Sequence, residues 1–257
     1  MENDKYMLQT LERAVSVIEA LANEKNGCGV TKLSKKTNIN KSTVFKILYT
    51  LSQKGYVERV PDSEDYRLGV KILQLGSAIL EQMYLRSIAM PYLQQLSFAT
   101  KETVHLGILD NFEVVYIEKF ESVEHSIRMH SQVGKRSPLH CTGMGKILIS
   151  DFTDEEIREM YFNRSMLKYT NSTITEVEKL VEEIISVREK GIAFDNMEHE
   201  ESIRCISAPI WDRAGRIIAA ISISVPVMFL TEERIPFIVE ELKKTSRQIS
   251  YQMGYNE

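Results

Sequence analysis

The sequence lacks any apolar stretch near the roughly 18 to 20 residues that a membrane-spanning helix needs. Its opening, MENDKYMLQT, has neither the basic start nor the apolar centre of a secretion signal, so a cytoplasmic protein is expected. Cysteine is scarce. The three residues, Cys28, Cys141 and Cys205, are odd in number and far apart, which gives no disulfide framework and no paired-cysteine zinc spacing, and free thiols are expected. Internal repeats and low-complexity tracts are absent. What is present is a chain of 257 residues, 43% hydrophobic, enough to bury one large core or two ordinary ones.

Positive charge is also in short supply overall, 32 Lys and Arg against 36 Asp and Glu, a formal net charge of −4. It is concentrated nonetheless. Between residues 25 and 59 stand Lys25, Lys32, Lys35, Lys36, Lys41, Lys46, Lys54 and Arg59, eight in all, against the single acid Glu58, a local surplus of +7. Residues 1–85 carry 12 basic and 10 acidic side chains and residues 86–257 carry 20 and 26, or +2 and −6. A basic segment joined to a larger acidic one suits a nucleic-acid-binding module with a separate sensing or assembly domain.

The apolar spacing supplies the elements. Leu8, Leu11, Val15, Ile18, Leu21 and Ala22 recur at three- and four-residue steps and predict a helix with that face inward. A second short helix fits residues 30–37, with Val30 and Leu33 inward and Lys32, Lys35 and Lys36 outward. A third begins after Asn40, a favourable N-cap residue. Its positions Val44, Ile47, Leu48 and Leu51 face inward, leaving Ser42, Thr43, Phe45, Lys46, Tyr49 and Thr50 on or near the other side until Gly55 ends it. YVERV and YRL, separated by PDSED, then predict a β-hairpin.

Three short helices and a hairpin are the order of a winged helix-turn-helix, whose third helix enters the DNA major groove. The candidate DNA contacts are Lys32, Lys41, Ser42, Thr43, Phe45, Lys46 and Tyr49, with Arg59 and Arg67 from the wing. Ser42 and Thr43 stand at a helix N-terminus, where hydroxyls and backbone N–H groups can meet a phosphate. The wing tip carries Asp62, Glu64 and Asp65 and should keep away from the backbone.

Residues 70–83 carry Ile72, Leu73, Leu75, Ile79, Leu80 and Met83, too much apolar surface for a lone connecting helix, and a subunit contact through Leu73, Ile79 and Met83 is expected. Pro91 marks a break before a helix over 92–100. From Thr103 the pattern changes to strands: TVHLGILD, EVVYIEKF and a weaker HSIRM. VGKRSPLH reads as a loop leading into a helix over 142–150, followed by helices over 154–161 and 175–190. The strands GIAFDN, RCISAPIW and GRIIAAISISV and a helix over 231–253 close an α+β domain.

These segments carry a resemblance along nearly the whole chain. TLERAVSVIEAL, TNINKSTVFKILYTLSQKGYVE, YRLGVKILQLG, SPLHCTGMGKILIS, EKGIAFDNMEHEESIRCISAPIWD and IIAAISISVP occur in the order of the IclR (isocitrate lyase regulator) family of bacterial transcription factors, which this sequence resembles. The resemblance implies a winged helix-turn-helix over 1–69, a linker helix over 70–86 that mediates dimer contact, and a GAF-like effector-binding domain over 87–257. It implies dimers or dimers of dimers that bind operator DNA and a small carboxylate metabolite. Such regulators, usually repressors, control uptake and breakdown of sugar acids, aromatic acids or short organic acids. The family's pocket positions correspond to Gly143, Met144, Asp195, Ile203, Cys205, Ser222 and Ser224, with Ser126 and Met129 as further wall residues.

The residues agree with this in part. Gly143 and Met144 open a helix, so their N–H groups can hold a carboxylate, and Ser222 and Ser224 alternate on one strand face where their hydroxyls need partners. The sequence also departs from the family. Phe45-Lys46 stands where an imidazole or tyrosine followed by Arg is frequent, which removes a bidentate guanine reader, and Glu201-Ser202 stands where glycine often follows the acidic run.

Other functions fit poorly. A nucleophile at Cys205 beside Asp195 or His199 has no supporting motif, and TGMGK fails the phosphate-loop pattern because position 140 is His and position 147 is Ile. His140, Cys141, Asp195 and His199 match no standard metal spacing. No enzyme, metal or cofactor is therefore expected. The alternative is a metabolite-binding assembly protein whose winged helix contacts protein in place of DNA.

Overall fold

The computed structural model describes residues 7–122, 124 and 131–256, with the side chains of all but Glu81 and Gln82. They form two compact units that divide between Gln82 and Met83.

The first unit contains α1 (Gln9–Ala22), α2 (Val30–Thr37), α3 (Lys41–Gln53), the hairpin β1 (Val57–Arg59) and β2 (Tyr66–Leu68), and α4 (Val70–Gln82). Val17, Leu21, Leu33, Val44, Leu48 and Val57 are its buried centre. Asn38, in the left-handed region at φ 55°, closes α2, and Gly55, at φ 75°, turns the chain from α3 into β1 where a side chain would be strained. The inward face of α1 differs from the one its spacing predicts. Val17 and Leu21 are buried with Ala14 and Ala20 packed beside them, whereas Leu8, Leu11 and Val15 are exposed. This helix has apolar residues on two sides, and its periodicity does not say which side α2 and α3 will cover. The exposed stripe of α4, Val70, Leu73, Leu75 and Ile79, faces outward as its composition suggests. The linker helix expected to reach residue 86 ends at Gln82, and Met83 packs against the core of the second unit.

The second unit begins with α5 (Tyr84–Thr100). The break expected at Pro91 does not occur. One lost N–H costs a helix about 3 kcal/mol, and burial of Ala89, Leu93 and Leu96 along its sheet-facing side, at ~1.5–3 kcal/mol for each large side chain, offsets it. Then follow β3 (Thr103–Asp110), β4 (Glu113–Phe120), β5 (Arg136–Pro138), α6 (Gly143–Ile149), α7 (Asp154–Tyr161), α8 (Val177–Lys190), β6 (Ala193–Asn196), β7 (Ile203–Trp211), β8 (Ile217–Pro226) and α9 (Arg234–Gln252). The six strands make one antiparallel sheet in the order β5-β4-β3-β8-β7-β6. Residues 136–138, read as loop, are its edge strand, too short to show any alternation. HSIRM lies outside the described residues.

Helices cover both faces of the sheet, an α+β layering of GAF-like kind. α5 and α9 pack on Leu106, Ile206, Ile221, Ile223 and Val225. α6, α7 and α8 share the other face with Val114, Tyr116, Ala193 and Ala220. Because successive strand side chains alternate, Ala219, Ile221, Ile223 and Val225 of β8 face α5 and α9, and Ala220, Ser222 and Ser224 face α6.

Candidate DNA interface and effector cavity

On α3, the Asn40 side chain accepts from Thr43 N at 2.9 Å and caps the helix. Burial of Val44, Ile47 and Leu48 fixes its rotation and presents Lys41, Ser42, Phe45, Lys46 and Tyr49 outward; Thr43 is half-buried. The remaining candidates are held by acids. Glu24, largely covered, takes Lys32 at 2.8 Å and also Lys36, and these two lysines hold its carboxyl below the usual range. In the wing, Arg67 lies 2.7 Å from Glu58, and Arg59 lies 3.6 Å from Glu64. Lys41 and Lys46 meet no acid among the described residues.

The second site lies between the sheet and α6. Gly143, Met144, Asp195, Ile203, Cys205, Ser222 and Ser224 all line one cavity, an empty space of about 440 Å³ with its mouth included. Ser126 and Met129 lie outside the described residues. The strand register explains the convergence. His105 stands opposite Ser222 and Ser222 opposite Ser207, while Ser224 stands opposite Cys205 and Cys205 opposite Asp195. Two rows of polar side chains thus cross four strands on an otherwise apolar face.

His105, Ser207, Tyr116 and Ser131 also line the cavity and escaped the sequence reading. A lone histidine in TVHLGILD was the available signal for the first. His105 Nε2 is 2.8 Å from Ser131 Oγ, and its Nδ1 is 3.4 Å from Ser222 Oγ and 3.5 Å from Ser224 Oγ. Burial, with Lys119 adding repulsion, pushes its pKa down to about 3, so the imidazole is neutral. Burial has the opposite effect on acids: it lifts Asp195 to about 7, against the two N–H donors Glu198 N and His199 N, and it raises Cys205 well above an ordinary thiol. Cys205 Sγ sits 3.1 Å from Ser224 Oγ as a half-buried thiol with a raised pKa, not an activated nucleophile.

Ser207 Oγ is fully buried and has no hydrogen-bond partner. A Cβ on Gly143 would come within 2.6 Å of it, so the start of α6 lies directly against this hydroxyl because position 143 is glycine. Among the described residues no Lys or Arg lines the cavity. Among the described residues no group of three or more His, Cys, Asp or Glu is placed to hold a metal ion, and no helix is long and apolar enough to cross a membrane.

The domain model for the IclR helix-turn-helix matches residues 10–61, and that for the bacterial transcriptional regulator IclR C-terminal region matches residues 77–251. The chain is 38% identical over 245 residues to the HTH-type transcriptional regulator KdgR of Escherichia coli (strain K12), covering 95% of this chain and 92% of that protein. The crystal structure of Thermotoga maritima IclR aligns with a TM-score of 0.79 at 34% identity, covering 96% of this chain and 99% of the other. An IclR homolog from Microbacterium hydrocarbonoxydans, complexed with 4-hydroxybenzoate, shares the fold at a TM-score of 0.81 and 23% identity, covering 95% and 98%. Matched in both of its units, and aligned almost end to end with a named regulator, this chain belongs to the IclR family of DNA-binding transcriptional regulators and is not an enzyme.

Proposed function

We propose that this regulator represses a carbon-catabolic operon and is released from its operator by a small hydroxylated organic acid, a sugar acid, bound between the sheet and α6. The observation that carries this reading is the Ser207 hydroxyl, buried without a partner at the cavity wall. Leaving such a group unsatisfied costs about 1–3 kcal/mol, which a ligand oxygen would recover. Gly143 and Met144 line the cavity beside it at the start of α6, where their N–H groups have no partner within the helix and would hold the carboxylate. Ser222, Ser224 and neutral His105 offer donors and acceptors for ligand hydroxyls. Asp195, raised to about 7, donates or accepts near neutral pH but repels a second ligand carboxylate once ionised. The ligand in the Microbacterium relative likewise combines one carboxylate with a hydroxyl.

The active form in this proposal is a dimer or a dimer of dimers, joined through the exposed stripes Leu73–Ile79 of α4 and Leu11–Val15 of α1 with Leu8 just ahead of it. Membership in a DNA-binding family decides against a winged helix that contacts only protein.

The test is a calorimetric titration of a panel of sugar acids and dicarboxylates, repeated with the Ser207→Ala and Ser222→Ala/Ser224→Ala variants, together with a gel shift on the DNA upstream of the chain's own gene. Coupling is reciprocal, so a ligand that loosens DNA must itself bind less tightly to the DNA complex, typically by about 5- to 150-fold. Equal binding by wild type and variants would remove these serines from the site. Tight binding with no change in DNA affinity would show that the cavity is not the switch.

A further inference from the structure

We propose that Phe45 and Tyr49 read thymine: their rings take the C5-methyl groups of thymines in the major groove, so that the preferred half-site is one with thymines at the positions α3 covers. The inference rests on the reading of α3 as the helix that enters DNA.

Phe45 is 52% exposed and Tyr49 58% exposed, two large rings left in water in the middle of the outward face of α3. At i and i+4 they lie one turn apart on the same side and form a single apolar step. Around them the chemistry is that of a DNA surface. Lys41 and Lys46, on the same exposed face, have no acidic partner among the described residues and are available to phosphates.

Polar base reading from this face is sparse. Neither α2 nor α3 contains arginine, Arg13 on α1 is the sole arginine ahead of the hairpin, and Arg59 and Arg67 of the hairpin are engaged by Glu64 and Glu58. The guanidinium fork that grips guanine is thus missing where base edges would be met. Thr50 is occupied as well, its hydroxyl donating to Lys46 O at 2.9 Å. The major groove presents one apolar group, the methyl of thymine, and a ring edge complements it while gaining nothing from guanine or cytosine.

The experiment starts from a random-sequence duplex library selected by the full-length protein. The recovered duplexes are then remade with uracil in place of thymine, which removes the methyl and leaves every base pair and hydrogen-bonding group intact. Thymine should be enriched, and uracil should weaken binding by about 3- to 5-fold per methyl read, the factor that burial of one methyl-sized group confers. Phe45→Ala should lose affinity on the thymine duplex and lose little more on the uracil duplex. Lys46→Ala should weaken both duplexes alike. Recovery of G·C-rich sites, or equal affinity for the thymine and uracil duplexes, would overturn the proposal. Retention of no duplex at all is a different outcome: it would remove DNA entry by α3 and this inference with it.

Discussion

Lys146 Nζ lies 2.6 Å from Glu198 Oε1, and both side chains are buried. The ammonium also donates to Phe194 O at 2.9 Å and lies 3.3 Å from Glu183, so a residue one turn into α6 is tied to β6 and the residues just after it. The same short segment supplies Asp195 and His199 to the cavity wall. The pair therefore holds two walls of the cavity in register.

Lys146→Met should destabilise the protein by about 3–5 kcal/mol, because it strands the Glu198 carboxylate away from water. Lys146→Met/Glu198→Gln should recover a large part of that loss. Urea unfolding of the three proteins tests it; a double variant no more stable than the single would show that the pair's charge is not what matters.

Asp195 makes a prediction about pH. Its carboxyl is raised to about 7 in the folded chain from an ordinary 3.8, so between those values the folded state holds more protons than the unfolded one. Stability from this group is present at low pH and is lost as pH rises through the window from about 4 to 7. Asp195→Asn should therefore stabilise the protein by roughly 1–3 kcal/mol at pH 8, with the gap closing toward pH 4. His105, held neutral by burial, acts in the opposite direction below about 6.5 but does so in both proteins and cancels from the difference. A gap that widens on acidification would contradict the assignment.

Gly143→Ala should cost about 1–3 kcal/mol, since the new methyl meets Ser207 Oγ at 2.6 Å and Ser207 Cβ at 3.3 Å. Adding Ser207→Ala removes the nearer atom and should recover part of the loss. Thermal unfolding of the set decides; full additivity of the two changes would mean that the contact is not shared.

DNA binding should weaken steeply with salt, and Lys46→Ala should lower the slope of log affinity against log salt by about 1. Glu24→Gln should act in the other direction: it releases Lys32 and Lys36, and affinity for any duplex should rise by roughly 2- to 10-fold at low salt. Fluorescence anisotropy across a salt series measures both, and an unchanged slope for Lys46→Ala would take that lysine off the DNA backbone.

Light scattering should find a dimer or larger species at micromolar concentration. Leu73→Glu/Ile79→Glu should shift it toward the monomer of 29.6 kDa, because charge on the exposed stripe of α4 opposes its burial in a partner. A wild type that is monomeric at that concentration would sink the dimer proposal.

The third helix was legible in the sequence because its determinants are local. Asn40 caps it, Val44, Ile47 and Leu48 mark its inner face, and Gly55 stops it, so its outward residues follow from 3.6-residue geometry. Ser222 and Ser224 were legible for the same kind of reason, an alternation along one strand. The pairing of strands was not. That His105, Ser207 and Asp195 join those serines depends on the order β3-β8-β7-β6 and on registers set by residues more than a hundred positions apart in the case of His105 and Ser222. Likewise, α1 offered two apolar faces, and contact with α2 and α3 chose Val17 and Leu21 over Leu11 and Val15. The ion pairs that hold Lys32, Arg59 and Arg67 arose from acids brought close by the fold. By itself, then, the sequence determined most of the segments that form helices and strands and which faces carry polar groups, since both follow from spacing within a few residues; the edge strand at 136–138 and the helix that continues through Pro91 depended on their neighbours. Only the tertiary structure decided which faces meet, which charges are already spent on one another, and which hydroxyl is left buried without a partner, because these depend on long-range packing and on the exclusion of water.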